Sequence, residues 1–130
     1  MGLTLSVHPG HRDTVVRVGG EIDLAIVDLF QDGLLRIMRA HTARLLLDLS
    51  EVSFMDCTGI KALALTRRRA ELRGGSMNLI AVSSSVRRII DLTGLRDEFP
   101  VHEQPRTTAP LLPAQARHGG QEDTWTSLVR

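Results

Sequence analysis

The chain is poor in the residues that announce a binding task through composition alone. Among 130 residues there is one cysteine, no tyrosine and 3% aromatic residues, and Lys61 is the only lysine. A single cysteine cannot close an internal disulfide, which agrees with a reducing compartment. So few aromatic rings leave no stacking platform for single-stranded nucleic acid. The 16 basic and 15 acidic residues leave a formal charge of +1, so no general pull toward nucleic acid or an anionic membrane surface is expected. No apolar run approaches the roughly 20 residues that span a bilayer, and the opening MGLTLSVHPGHRD has no basic segment followed by an apolar one. These absences predict a cytoplasmic protein whose partners include neither nucleic acid nor membrane.

Catalytic fingerprints are missing as well. Gly19-Gly20 precedes a helical pattern but lacks the rest of a Walker-type or dinucleotide-binding loop. The five histidines, His8, His11, His41, His102 and His118, fall in expected loops, element ends or the tail, where no spacing pairs one with the lone thiol as its base. His8 and His11 form an H-x-x-H pair around a turn, without the carboxylate or thiol partners that would complete a metal site. The sequence therefore predicts no enzyme, no metal and no cofactor.

What the chain does have is pattern. Leu3, Leu5 and Val7, then Val16 and Val18, alternate with polar residues on either side of Pro9-Gly10, which reads as a hairpin. Leu24, Val27, Leu29, Phe30, Leu34, Ile37 and Met38 then recur at helical spacing, predicting a helix from about 24 to 40 with Asp23 as its N-cap. Gly33 inside it has no local reason and costs up to about 1 kcal/mol relative to alanine. The run ARLLLDLS reads as a strand covered on both faces, followed by a second short apolar segment. A helix from Thr58 to Arg73, with Ile60, Leu63, Ala64 and Ala70 on its apolar side, stops at Gly74-Gly75. SMNLIAV is another buried strand, SSSVRRIIDLTGL a short capped helix, and EFPVHE a final strand that closes the sheet. The order β-β-α-β-α-β-α-β predicts an α/β fold, a mixed β-sheet with helices packed against it. Residues 1–104 form the single domain. Residues 105–130, rich in Pro and Gly, are expected to be a flexible, disordered C-terminal tail.

The informative stretch is LLLDLSEVSFMDCTGI, Leu45 to Ile60. It delivers an acid, a thiol, a hydroxyl and a glycine to the mouth of a helix, where unpaired N–H groups and a partial positive charge favour anions. Three uses of Asp56, Cys57, Thr58 and Gly59 compete. Asp56 is only a cap and Cys57 a small filler; or Cys57 is an activated nucleophile; or the hydroxyl or thiol position is a modification and docking site, with Gly59 allowing another backbone close. Arg67, Arg68, Arg69 and Arg73, with Lys61, form a basic cluster that is either a solvated helix surface or a contact for an acidic partner.

GGEID at Gly19 to Asp23, the Leu45 to Ile60 stretch, and RGGSMNLIAVSSSVRRIIDLTGL at Arg73 to Leu95 together resemble the STAS domain of bacterial anti-sigma-factor antagonists, over about residues 3 to 104. The resemblance implies a STAS-like fold and a non-enzymatic switch that binds an anti-sigma factor serine/threonine kinase, so releasing its sigma factor for transcription. It also implies that the kinase ends binding by phosphorylating a Ser at the second helix mouth. The family motif there is Asp-Ser-Ser/Thr-Gly, the first Ser being the usual acceptor. Asp56, Thr58 and Gly59 match it, and Asp23 matches an acidic position presented to the kinase. The acceptor position holds Cys57, on which the ordinary phosphoester cannot form. Either phosphorylation control is lost, which we favour, or Thr58 has taken it over despite lying about 100° further round the helix. Redox control through Cys57 is a third option. The runner-up function is a scaffold subunit of a larger sensory assembly; the lack of the extra N-terminal domain of such proteins favours capture of the kinase.

Overall fold

The computed structural model describes residues 2–41, 44–102 and 123–124. Strand β1, Thr4–Pro9, pairs antiparallel with β2, Thr14–Ile22, through a tight turn in which the Gly10 N–H donates to the Asp13 carbonyl at 2.8 Å. Strand β3, Arg44–Met55, lies parallel to β2, and β4, Ser76–Val82, lies parallel to β3. Helices α1, Val27–Ala40, and α2, Cys57–Leu72, make the crossovers between these parallel strands, and α3, Ser84–Leu92, follows β4. The result is a mixed sheet in the order β4-β3-β2-β1, extended at its β1 edge by β5, Asp123–Thr124. The expected α/β architecture is present. Apart from β5, the expected tail at 105–130 lies outside the described residues.

The alternation read in the hairpin is realised in the core. Leu3, Leu5, Val7, Val16 and Val18 are all buried, in one cluster with Leu45, Leu47 and Leu49 of β3 and with Phe30, Leu34, Ile37, Leu63, Val86 and Ile90 of the three helices. Burial of this many aliphatic side chains, at about 25 cal/mol per Å² of apolar surface, is what holds helices to sheet. Gly33 is buried too, on the inner face of α1 that carries Phe30, Leu34 and Ile37.

Several expectations need correction. Strand β3 is not covered on both faces: Leu45, Leu47 and Leu49 are buried, while Leu46 and Asp48 between them are half-exposed. It also runs without a break through the segment read as a separate apolar piece, so Met55 is delivered directly to the mouth of α2. Helix α1 starts at Val27 and not at 24, because Asp23 folds the chain into a local turn first. Its carboxylate accepts from the N–H groups of Ala25 at 3.0 Å and Ile26 at 3.2 Å, and its carbonyl accepts from Val27 at 2.8 Å. In α2 it is Ala62, not Ala64, that is buried beside Leu63. The final strand is reduced to one bridge, Val101 to Leu79, with the His102 N–H donating to the Leu79 carbonyl at 2.7 Å. Pro100, which has no N–H to donate, precedes it.

Both later helices end as read. Gly74 and Gly94 take φ of +81° and +73°, and the next N–H in each case turns back on the helix, Gly75 to Ala70 at 2.8 Å and Leu95 to Ile90 at 3.1 Å. Ser83 caps α3 twice over. Its Oγ accepts from the Val86 N–H at 3.2 Å and donates to the Val52 carbonyl at 2.6 Å, pinning the helix to β3. Ser83→Ala should therefore cost about 1–2 kcal/mol in urea denaturation, more than a solvent-facing cap alone would. Among the described residues, no helix is long and apolar enough to cross a membrane.

Candidate functional site

The mouth of α2 is assembled from the ends of two parallel strands. The Asp56 N–H donates to the Ile22 carbonyl at 3.2 Å, so the end of β2 and the start of α2 are tied together. Asp56 then adopts extended backbone geometry, φ −102° and ψ −173°, and its carboxylate accepts from the Thr58 N–H at 3.0 Å, the pattern of an N-cap. The Thr58 hydroxyl donates to the same carboxylate oxygen. The Asp56 carbonyl accepts from the Gly59 N–H at 3.0 Å.

Partial burial pushes the Asp56 carboxyl up, but hydrogen bonds from the Thr58 hydroxyl and from the backbone of Thr58, Gly59 and Leu24 outweigh it, so the carboxyl is held below its ordinary value. The Leu24 contact brings the turn after Asp23 onto the α2 mouth. Asp23 and Asp56, 33 positions apart in the chain, thus belong to one neighbourhood, with Ile22 and Leu24 on either side of Asp23 both hydrogen-bonded to Asp56.

A carboxyl that ionises more readily folded than unfolded stabilises the fold fully above its unfolded value, about 3.9, and loses that contribution as pH falls toward the folded value. Asp56→Asn keeps an acceptor for the Thr58 groups but removes the charge. It should be less stable than the parent at pH 7, and the two unfolding curves should converge as pH drops below about 4. A gap that persists or widens in acid would contradict this reading of Asp56.

Cys57 is the first residue of α2 and is exposed, so the filler reading of its side chain does not hold. Thr58 is half-buried with its hydroxyl committed to Asp56, and Gly59 is buried. The role of Gly59 differs from the one expected. A Cβ there would lie 2.5 Å from Met55 Cγ, 3.0 Å from Met55 Sδ and 3.2 Å from Ile22 Cγ2. The glycine admits two side chains of the strand ends and not a second backbone.

Sequence reasoning missed the apolar surroundings of this mouth. Leu24, read as part of the buried stripe of α1, is 72% exposed, because it sits in the turn before the helix. Phe54 is 48% and Leu92 72% exposed. Phe54, Met55, Ile89 and Leu92 wall a groove of about 280 Å³ together with Ser85 and Arg88. Met55 is a shared wall of this groove and the neighbour of Asp56. The signal for Phe54 is weak in the sequence, because the buried Val52 and Met55 are three residues apart and the β2–β3 register shifts opposite them, so strict alternation breaks down here.

The other candidates separate. His8 is buried with Nε2 3.0 Å from Ser6 Oγ, while His11 is exposed, so the H-x-x-H pair does not share one environment. Among the described residues no group of three or more His, Cys, Asp or Glu side chains is gathered to hold a metal ion.

The STAS domain profile matches residues 3–107. An anti-sigma-B factor antagonist of Bacillus subtilis is 31% identical over 97 residues, covering 75% of this chain and 88% of that protein. The crystal structure of an anti-sigma factor antagonist from Mycobacterium paratuberculosis superimposes with a TM-score of 0.68 at 29% identity, over 86% of this chain and 92% of that one. The unphosphorylated form of the anti-sigma factor antagonist SpoIIAA, at 19% identity, shares the fold with a TM-score of 0.64 over 88% and 96% of the two chains. The chain belongs to the STAS domain family of anti-sigma-factor antagonists.

Proposed function

We propose that this protein captures an anti-sigma factor of the serine-kinase type in the cytoplasm, freeing its sigma factor, and that it does so without the usual phosphorylation control. The domain that acts is residues 1–104. The contact surface is the mouth of α2, with Asp23, Asp56, Cys57 and Thr58 at its centre, the buried Gly59 beneath them, and the exposed Leu24, Phe54 and Leu92 as apolar flanks. Such a mixture of a polar centre and apolar neighbours excludes water from the contact while fixing its register.

One observation carries the proposal. The acceptor position of the family motif holds an exposed thiol, and the adjacent hydroxyl is already donating to the capping carboxylate. A phosphate on Thr58 would have to surrender that hydrogen bond and place close to two negative charges beside an ionised Asp56. The geometry therefore favours loss of control over its transfer to Thr58. An uncharged thiol at the helix start, by contrast, leaves the docking surface intact.

The first test is complex formation. Mixed with a serine-kinase anti-sigma factor and nucleotide, the full chain should elute as a discrete complex in size-exclusion chromatography, and Asp23→Lys should weaken it. Concentration-dependent self-association with no complex would sink kinase capture in favour of a scaffold.

A further inference from the structure

The basic run singled out in the sequence splits in two in the fold. Arg67 serves the structure: it pairs with Glu98 at 2.8 Å, lies 3.8 Å from Glu71, and sits 4.8 Å above the Phe99 ring. Arg69 and Arg73, with Arg39 from the end of α1, line a groove of about 210 Å³ whose remaining walls are Leu35, Met38 and Leu72. Among the described residues, none of these three guanidinium groups has an ion-pair partner. Leu72 is 77% exposed between them.

We propose that this groove is a second docking surface, for an acidic protein segment carrying an apolar anchor residue. Arginines near the last turn of a helix offset the partial negative charge of its end, and that accounts for one arginine on each helix. It does not account for three unpaired arginines converging on one concavity, nor for a leucine held in water among them. The chain as a whole carries a charge of only +1, so this concentration of cations is local. Arginine beside an aliphatic floor is the composition of an interface centre, where a carboxylate is held bidentately and an anchor side chain displaces water. The groove is smaller than the roughly 300–1,000 Å³ of small-molecule pockets, which favours a single anchor over a cofactor-sized ligand. An apolar floor is of little use to a phosphate backbone, which disfavours nucleic acid. Leu72 ends α2 and Cys57 begins it, about 22 Å apart at 1.5 Å per residue, so both surfaces can be occupied at once. The inference does not depend on the identity of the partner at the α2 mouth.

The test uses the full chain and a fluorescein-labelled synthetic peptide, helical in design, with leucines every third or fourth position flanked by glutamates. Fluorescence anisotropy should show binding that weakens at least about tenfold with Leu72→Ser, and likewise with Arg69→Glu and Arg73→Glu combined. The same peptide with its leucines replaced by serines should bind as weakly. Cys57→Ser should bind it like the parent, and since the altered residues are exposed, thermal melting should report unchanged folds. The proposal is overturned by no binding, by equal affinity for the variants, by equal affinity of the serine peptide, or by a single-stranded oligonucleotide of the same charge binding more tightly through the same residues.

Discussion

Cys57→Ser should convert this protein from one that a serine-kinase partner leaves unmodified into one that it phosphorylates. The substitution exchanges sulfur for oxygen at an exposed helix start and touches no core contact, so its effect on stability should be small. Its effect on regulation should be all or none. With partner and ATP, intact mass should show one added phosphate on the variant and none on the parent. The phosphorylated variant should then lose its partner. Carrying a dianion into a docked interface beside Asp56 costs several kcal/mol in desolvation and like-charge repulsion, equivalent to at least about a hundredfold in affinity. Thr58→Val in the variant background should leave the phosphate in place, which separates the two hydroxyl positions.

The second large effect is expected at Gly59, from packing alone. An alanine Cβ there would sit 2.5 Å from Met55 Cγ, closer than real contacts allow, with Ile22 at 3.2 Å closing the other side. Met55 and Ile22 are packed in the core, so relief requires Met55 to leave its packed rotamer toward the groove it walls, while Ile22 has no such outlet. Overpacking of this kind costs about 1–3 kcal/mol, enough to outweigh the gain in helix propensity, and should lower Tm on the order of 5–15 °C. Met55→Ala removes the nearer obstacle. Gly59→Ala should then cost less in the Met55→Ala background than alone, and the double-mutant cycle measures that difference directly. Additive effects would mean that the glycine is required by the backbone and not by Met55.

Much of this fold was legible because its core residues announce themselves by period. Leu3, Leu5, Val7, Val16 and Val18 alternate in sequence and are buried together. Gly74-Gly75 and Gly94 ended helices where expected, since a positive φ after a helix has few substitutes. Periodicity failed where an apolar residue is not in the core. Leu24 continues the stripe of α1 in sequence, yet the carboxylate of Asp23 closes a turn that leaves it in water. An N-cap and such a turn use the same residue type, so spacing alone cannot separate them. The site was legible in its residues but not in their company. Nothing local ties Leu24 to Asp56 or sets Ile22 against Gly59, because both contacts join chain segments more than thirty positions apart. The Arg67-Arg68-Arg69 run was likewise ambiguous until Glu98 and Phe99 claimed its first member.

An exposed thiol at the acceptor position predicts that a complex with a serine-kinase anti-sigma factor should survive the addition of ATP. The most direct test is to follow the purified complex of the unaltered chain with its anti-sigma partner over time after adding ATP, reading both the fraction bound and the intact mass. A complex that persists with no added phosphate is the predicted result. Release of the chain in step with a phosphate that Thr58→Val abolishes would contradict it, and would place control on Thr58.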